Sequence, residues 1–245
     1  MADANNNSIF VMNETVEEAF KVLRANINFC DPENKYKTIS ITSYSPDEGK
    51  SFASTNLSVS MAKSGLKILY VDADIRKPML FKSLVSRDFK GLSNYLMGHA
   101  ELNEIINKTE IEGFHFISCG IKTHNPGELI CSPKLGELLD MVKDRYNFVI
   151  VDTPPLGSVI DGALIASITD ASIIVISQNK VKLRNAIMMK DQLEKANANI
   201  IGAILNKVSK LDYKNYYGGY DYYGSKGKKI SKLLKKQLIK KRDQI

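Results

Sequence analysis

Long apolar runs are missing from this sequence. No stretch approaches the roughly 20 residues needed to span a bilayer, and the first seven residues are polar where a secretory leader would be apolar. A cytoplasmic protein with neither signal peptide nor membrane anchor is expected. Cysteine is scarce as well. Cys30, Cys119 and Cys131 are too few and too widely spaced for a disulfide framework or a zinc site, and are expected to be reduced structural thiols. The three histidines are scattered and suggest no metal cluster. Net basic charge is absent from most of the chain despite a formal net charge of +7. Residues 225–245 carry eight lysines and Arg242 against Asp243 alone, a local charge of +8, so the other 224 residues sum to −1. The basicity belongs to a tail, and a nucleic-acid-binding core is not expected.

What is present is an ordinary globular composition, 44% hydrophobic and 25% charged over 245 residues, enough for one well-cored domain. Short, β-branched apolar runs recur at 38–42, 68–72, 148–152, 173–177 and 200–206, with a weaker one at 114–118. Runs such as Phe-Val-Ile-Val do not alternate with polar residues, as expected of strands buried on both faces. Helical segments at 50–64, 133–145, 160–168 and 182–197 separate them. The pattern predicts an α/β fold: a doubly wound, mostly parallel sheet. A further helix is expected over 14–29, opened by a Thr15-x-x-Glu18 capping box. The α/β pattern stops after Asn206. The expected organisation is a nucleotide-binding domain over 1–211, a tyrosine-rich segment over 212–224 and a basic tail over 225–245.

Three motifs carry chemistry. Tyr44-Ser-Pro-Asp-Glu-Gly-Lys-Ser51 follows a strand and opens a helix, the setting of a phosphate-binding loop. Backbone N–H groups from Asp47 to Phe52 and the helix N-terminus would face phosphates, with Lys50 on the β/γ-phosphates and Ser51 on magnesium. Tyr44 replaces the first glycine of the usual loop, so this is a P-loop NTPase pattern with deviant Walker motifs. Asp72 and Asp74 follow a strand expected beside the loop strand; one carboxylate suits magnesium, the other a proton from an attacking hydroxyl. Asp152, ending an apolar strand, suits magnesium through water. ATP and Mg²⁺ are the expected ligands, and ordered strand-end motifs of this kind point to phosphoryl transfer.

These motifs, with Asn125–Leu129 (N-P-G-E-L) and Gly202–Lys207 (G-A-I-L-N-K), resemble the bacterial protein-tyrosine kinases (BY-kinases) in their stand-alone form, over residues from about 14 to 224. Asp72-x-Asp74-x-Arg76-Lys77-Pro78 is the most family-specific part. The resemblance implies Lys50 and Ser51 on phosphate and metal, Asp74 and Asp152 on the metal, and Asp72 as base toward tyrosine. Asn206 matches an asparagine that contacts adenine in related ATPases, or it serves the strand end structurally. Glu18-x-x-Lys21-x-x-Arg24 resembles the family's E-x-x-R-x-x-R ring-forming helix, with lysine where bidentate arginine is usual; a solvated helix face is the other reading. The resemblance also implies a transmembrane activator or adaptor that recruits the kinase to the inner face of the membrane, and a role in exopolysaccharide or capsule synthesis or export.

Tyr213, Tyr216, Tyr217, Tyr220, Tyr222 and Tyr223 are six of eleven tyrosines, packed into eleven residues with Gly218 and Gly219. Beside a phosphoryl-transfer site they read as phosphoacceptors, served in trans within an oligomer; an aromatic sticky segment is the bland alternative. In the basic tail, Ile230, Leu233, Leu234 and Leu238 can line one helical stripe opposite lysines, suited to an anionic membrane surface, or the tail is merely solvated. The competing function is a dimeric ATPase switch of the ParA/MinD kind. Its loop carries a lysine five residues before the conserved one, where this chain has Ser45, and it lacks a terminal tyrosine cluster.

Overall fold

The computed structural model describes residues 13–76, 90–178, 180–209 and 212–213. In order, the elements are α1 (Glu14–Cys30), β1 (Thr38–Ser43), α2 (Lys50–Ala62), β2 (Ile68–Asp72), α3 (Leu92–Leu96), α4 (Leu102–Ile105), β3 (Asn107–Lys108), β4 (Phe114–Ile117), α5 (Pro126–Cys131), α6 (Pro133–Lys143), β5 (Phe148–Asp152), α7 (Asp161–Ser167), β6 (Ala171–Ser177), α8 (Leu183–Lys195) and β7 (Ile200–Asn206). The chain divides into compact units at Asn206/Lys207. Among the described residues no helix is long and apolar enough to cross a membrane.

Seven strands form one sheet in the order β3-β4-β2-β5-β1-β6-β7, all parallel except the short β3. The short apolar runs of β1, β2, β5 and β6 are buried because both faces are covered, whereas the run of β7, at the sheet edge, is only partly covered, with Leu205 57% exposed. Ile39, Ile41, Ile68, Tyr70 and Ile150 pack under α1 and α2, while Val71, Val149 and Val151 pack under α5, α6 and α7. This is the doubly wound sheet expected of the pattern. Helix α2 is buried along almost its whole length. Its serines make that possible, since Ser54 and Ser58 return their hydroxyls to the carbonyls of Ser51 and Ser54 at 3.1 and 2.8 Å.

Three expectations are corrected. Strand β2 does not lie beside the loop strand β1: β5 pairs with both and separates them. Crossover helices let a parallel chain skip a position and fill it later, so sequence order does not fix spatial order. Helix α1 is capped by Asn13, whose side chain accepts from Val16 N at 2.9 Å, and not by a box starting at Thr15. Of the cysteines only Cys119 is buried; Cys30 and Cys131 are exposed, and all three are free thiols. Strand β3 and helices α3, α4 and α5 have no counterpart in the periodicity, being too short to repeat a pattern.

In the second unit Ser209 Oγ accepts from Asp212 N at 3.1 Å, and Tyr213 N reaches Ser209 O at 2.9 Å, closing one turn. Lys77, Pro78, Tyr216, Tyr217, Tyr220, Tyr222, Tyr223 and the basic tail lie outside the described residues.

Leu57 is fully buried between α1 and the sheet, whereas Leu183 is 76% exposed. Urea unfolding should show Leu57→Ala losing about 2–5 kcal/mol and Leu183→Ala less than about 0.5 kcal/mol.

Candidate active site

Parallel pairing brings the carboxyl ends of β2, β5 and β1 side by side, and the crevice outside those ends is where such sheets take ligands. In register, Asp72 faces Asp152 across the β2–β5 ladder. Helix α2 starts above them, so Lys50, its first residue, points down to Asp152. Lys50 Nζ lies 2.8 Å from Asp152 Oδ1, with the two side chains 8% and 1% exposed. Ser51 Oγ donates to Asp152 Oδ2 at 2.6 Å, and Tyr70 OH reaches the same oxygen at 3.1 Å.

Asp72 has a different environment. Burial and then the neighbouring Asp152 carboxylate push its pKa up to about 8, only partly offset by Lys50 and by the Asp74 N–H, which donates to Asp72 Oδ1 at 3.2 Å. Burial, followed by the Asp152 and Asp72 carboxylates, also raises the Tyr70 hydroxyl well above its ordinary value, which keeps it a donor. Asp74 is half-buried at the rim. Arg76 forks onto Asp161 at the start of α7, Nε to Oδ2 at 2.7 Å and Nη2 to Oδ1 at 3.1 Å. It thereby ties the segment after β2 to the opposite wall.

The loop between β1 and α2 is held from three sides. Gly49 adopts φ +87°, and a Cβ there would collide with the Asn206 amide. Asn206 Nδ2 donates to Glu48 O at 2.9 Å. The Glu48 carboxylate is wholly buried and accepts from Ser45 N and, at 3.4 Å, from Ser177 N at the end of β6. Gly157 N reaches Tyr44 O at 2.7 Å on the third side. The first intrahelical bond of α2 runs from Ala53 N to Gly49 O at 2.8 Å. The N–H groups of Lys50, Ser51 and Phe52 precede it and suit an anion.

The residues present fit a magnesium–nucleotide complex. The crevice offers hard oxygen donors on Ser51, Asp74 and Asp152, an ammonium, and the free N–H groups at the start of α2. The structure brings Lys50, Ser51, Asp72 and Asp152 together. It turns the Glu48 side chain into the protein, leaving only its backbone for a ligand. The Phe52 side chain is 49% exposed and tilts against Phe20 at 6.3 Å between centroids. Asn206 acts here on the loop itself. Away from the crevice, Glu18 and Lys21 pair at 3.2 Å on the exposed face of α1, whereas Arg24 Nη1 caps α2 through Ser60 O at 2.7 Å.

Sequence reasoning did not single out Tyr70 or Asp161. A polar phenol inside the buried run 68–72 was the available signal for Tyr70; Asp161 carried none, because its partner lies 85 residues away.

Glu48→Gln offers one acceptor to two N–H groups and sets an amide donor against one of them. It should cost about 1–3 kcal/mol of unfolding free energy, seen as a lower melting temperature.

Residues 36–200 match the family model described as an AAA domain. The tyrosine-protein kinase CpsD of Streptococcus agalactiae is 36% identical over 216 residues, 87% of this chain and 92% of that protein. The kinase domain of the Escherichia coli tyrosine kinase ETK superposes with a TM-score of 0.80 at 33% identity, covering 86% of this chain and 84% of that one. The septum site-determining protein MinD of Pyrococcus horikoshii, solved with Mg-ADP, shares the fold at a TM-score of 0.60 and 28% identity, over 71% of this chain and 72% of its own. The fold is that of the P-loop NTPases, and the chain belongs to the bacterial protein-tyrosine kinase family.

Proposed function

We propose that this kinase transfers the γ-phosphate of ATP to tyrosine hydroxyls, beginning with the cluster at 213–223 of a neighbouring copy, and thereby regulates exopolysaccharide or capsule synthesis or export. The observation that carries this reading is the convergence of Lys50, Ser51, Asp72 and Asp152 beneath the N-terminus of α2. Phosphoryl transfer asks the protein for positioning and charge compensation more than for covalent chemistry.

The backbone from Asp47 to Phe52 cradles the phosphates. Lys50 shares its charge between Asp152 and the β/γ-phosphates. Ser51, Asp74 and Asp152 hold magnesium, which when bound neutralises charge on the phosphates. Asp72 accepts the proton of the attacking tyrosine hydroxyl in its ionised form, which the positive charge brought by magnesium would favour against the neighbouring Asp152 carboxylate. Asn206 keeps Gly49 and Glu48 in place, a role supported by its bond to Glu48 O.

Transfer in trans is favoured because the tyrosine cluster follows shortly after β7, leaving little chain to fold back on its own loop. It requires an oligomer, and a ring through Glu18, Lys21 and Arg24 fits the exposed Glu18–Lys21 face. Arg24, engaged with Ser60 O, would contribute by fixing α1 on α2. A membrane adaptor would recruit the kinase from the cytoplasm to the inner membrane face, helped by attraction of residues 225–245 to anionic lipid. Other protein tyrosines would be substrates of the same site.

The second reading, an ATPase switch, rests on the fold shared with MinD. Incubation with Mg-ATP and phosphotyrosine blotting separates the two. The wild type should label itself and Lys50→Met should not; steady phosphate release without phosphotyrosine would transfer the site to the switch. For transfer in trans, Lys50→Met with its tyrosines intact is mixed with an active chain whose six cluster tyrosines are phenylalanine. Label should appear on the Lys50→Met chain, and a blank there would reject trans transfer.

Asp72→Asn should lower kcat at least about 100-fold while ATP affinity changes far less. A parallel loss of affinity would remove Asp72 from the role of base.

A further inference from the structure

The connection from β6 to α8 brings a second ammonium to the phosphate loop. Lys180 Nζ donates to the main-chain carbonyl of Pro46 at 2.8 Å. Described residues of the connection are bonded in place: Ser177 N donates to Glu48 Oε2 at 3.4 Å, Gln178 N to Asn206 O at 2.9 Å, and Lys180 N to Ser177 O at 3.2 Å. Lys180 therefore leaves the backbone three residues beyond a strand end that is bonded to the loop. Its position at the rim does not depend on a long flexible segment.

The other cations of the crevice are committed. Lys50 is buried against Asp152, and Arg76 is forked onto Asp161. Lys180 is exposed, holds a neutral carbonyl, and among the described residues forms no ion pair. A nucleoside triphosphate brings about four negative charges into the loop, while Lys50 must still neutralise Asp152. Both bonds have the ionised ammonium as donor, but a phosphate oxygen also carries negative charge and adds a Coulombic attraction that the neutral carbonyl lacks. Exchange of one for the other breaks no ion pair.

We propose that Lys180 is a phosphate-binding residue of the kinase reaction, leaving the Pro46 carbonyl for the terminal phosphate of the bound triphosphate. This rests on the reading of the crevice as an ATP site. It adds a contact that depends on the γ-phosphate, so it separates triphosphate from diphosphate.

The test uses the full chain as wild type, Lys180→Ala and Lys180→Arg. Calorimetry measures binding of Mg-ADP and of the magnesium complex of β,γ-imido-ATP, and melting temperature and autophosphorylation kcat are read alongside. Lys180→Ala should weaken the triphosphate analogue about tenfold or more, leave Mg-ADP within about twofold, lower kcat, and keep the melting temperature. Lys180→Arg should restore most of the triphosphate affinity, because it keeps the charge and the reach. Equal losses for both nucleotides would reduce Lys180 to a strap on Pro46 and overturn the proposal. So would unchanged affinity for both. A wild type that binds neither nucleotide would overturn the ATP-site reading itself, an outcome distinct from the other two.

Discussion

The buried pair of Lys50 and Asp152 is the constraint around which the crevice is arranged. Neither charge could be held alone at 8% and 1% exposure, because desolvation would exceed what one neighbour returns. The pair is completed by Ser51 and Tyr70, which fill the second oxygen of Asp152. This demands that β5 lie between β1 and β2, that α2 begin at the mouth of β1, and that a phenol be buried in β2. Asp72 is then the third partner of an already neutral pair. It faces a carboxylate in register and is pushed toward its protonated form.

The loop above that pair takes its shape from residues outside it. Glu48 ties it to the end of β6, Asn206 to the end of β7, and Gly157 to the segment after β5. A loop held this way keeps its N–H groups oriented before a ligand arrives, which is the main contribution a protein makes to phosphoryl transfer. The carboxylate of Glu48 would repel phosphate if it faced the crevice. Turned inward, it serves as an acceptor for backbone donors. The opposite wall is braced by Arg76 and Asp161, which join the segment after β2 to α7.

Helices α1 and α2 connect the crevice to the outer surface. Arg24 of α1 caps the far end of α2, the helix whose near end carries Lys50 and Ser51. The exposed Glu18–Lys21 pair lies on that same outer helix. A partner touching α1 would therefore bear on the helix that positions Lys50 and Ser51. Membership in the tyrosine kinase family gives this arrangement its chemical meaning, since the same sheet also carries the MinD ATPase.

Much of this was legible in the chain itself. Unbroken apolar runs determined which segments become parallel strands; their ends marked Asp72 and Asp152, and the loop motif marked Lys50 and Ser51 at the head of a helix. Local rules suffice for that, because periodicity and turn chemistry act over a few residues. Tertiary structure decided the rest. The placement of β5 between β1 and β2, the inward turn of Glu48, the burial of Tyr70 against Asp152 and the reach of Lys180 to Pro46 all join residues far apart in sequence. Nothing within a short window encodes such partners, for they are chosen by how the sheet is ordered and packed.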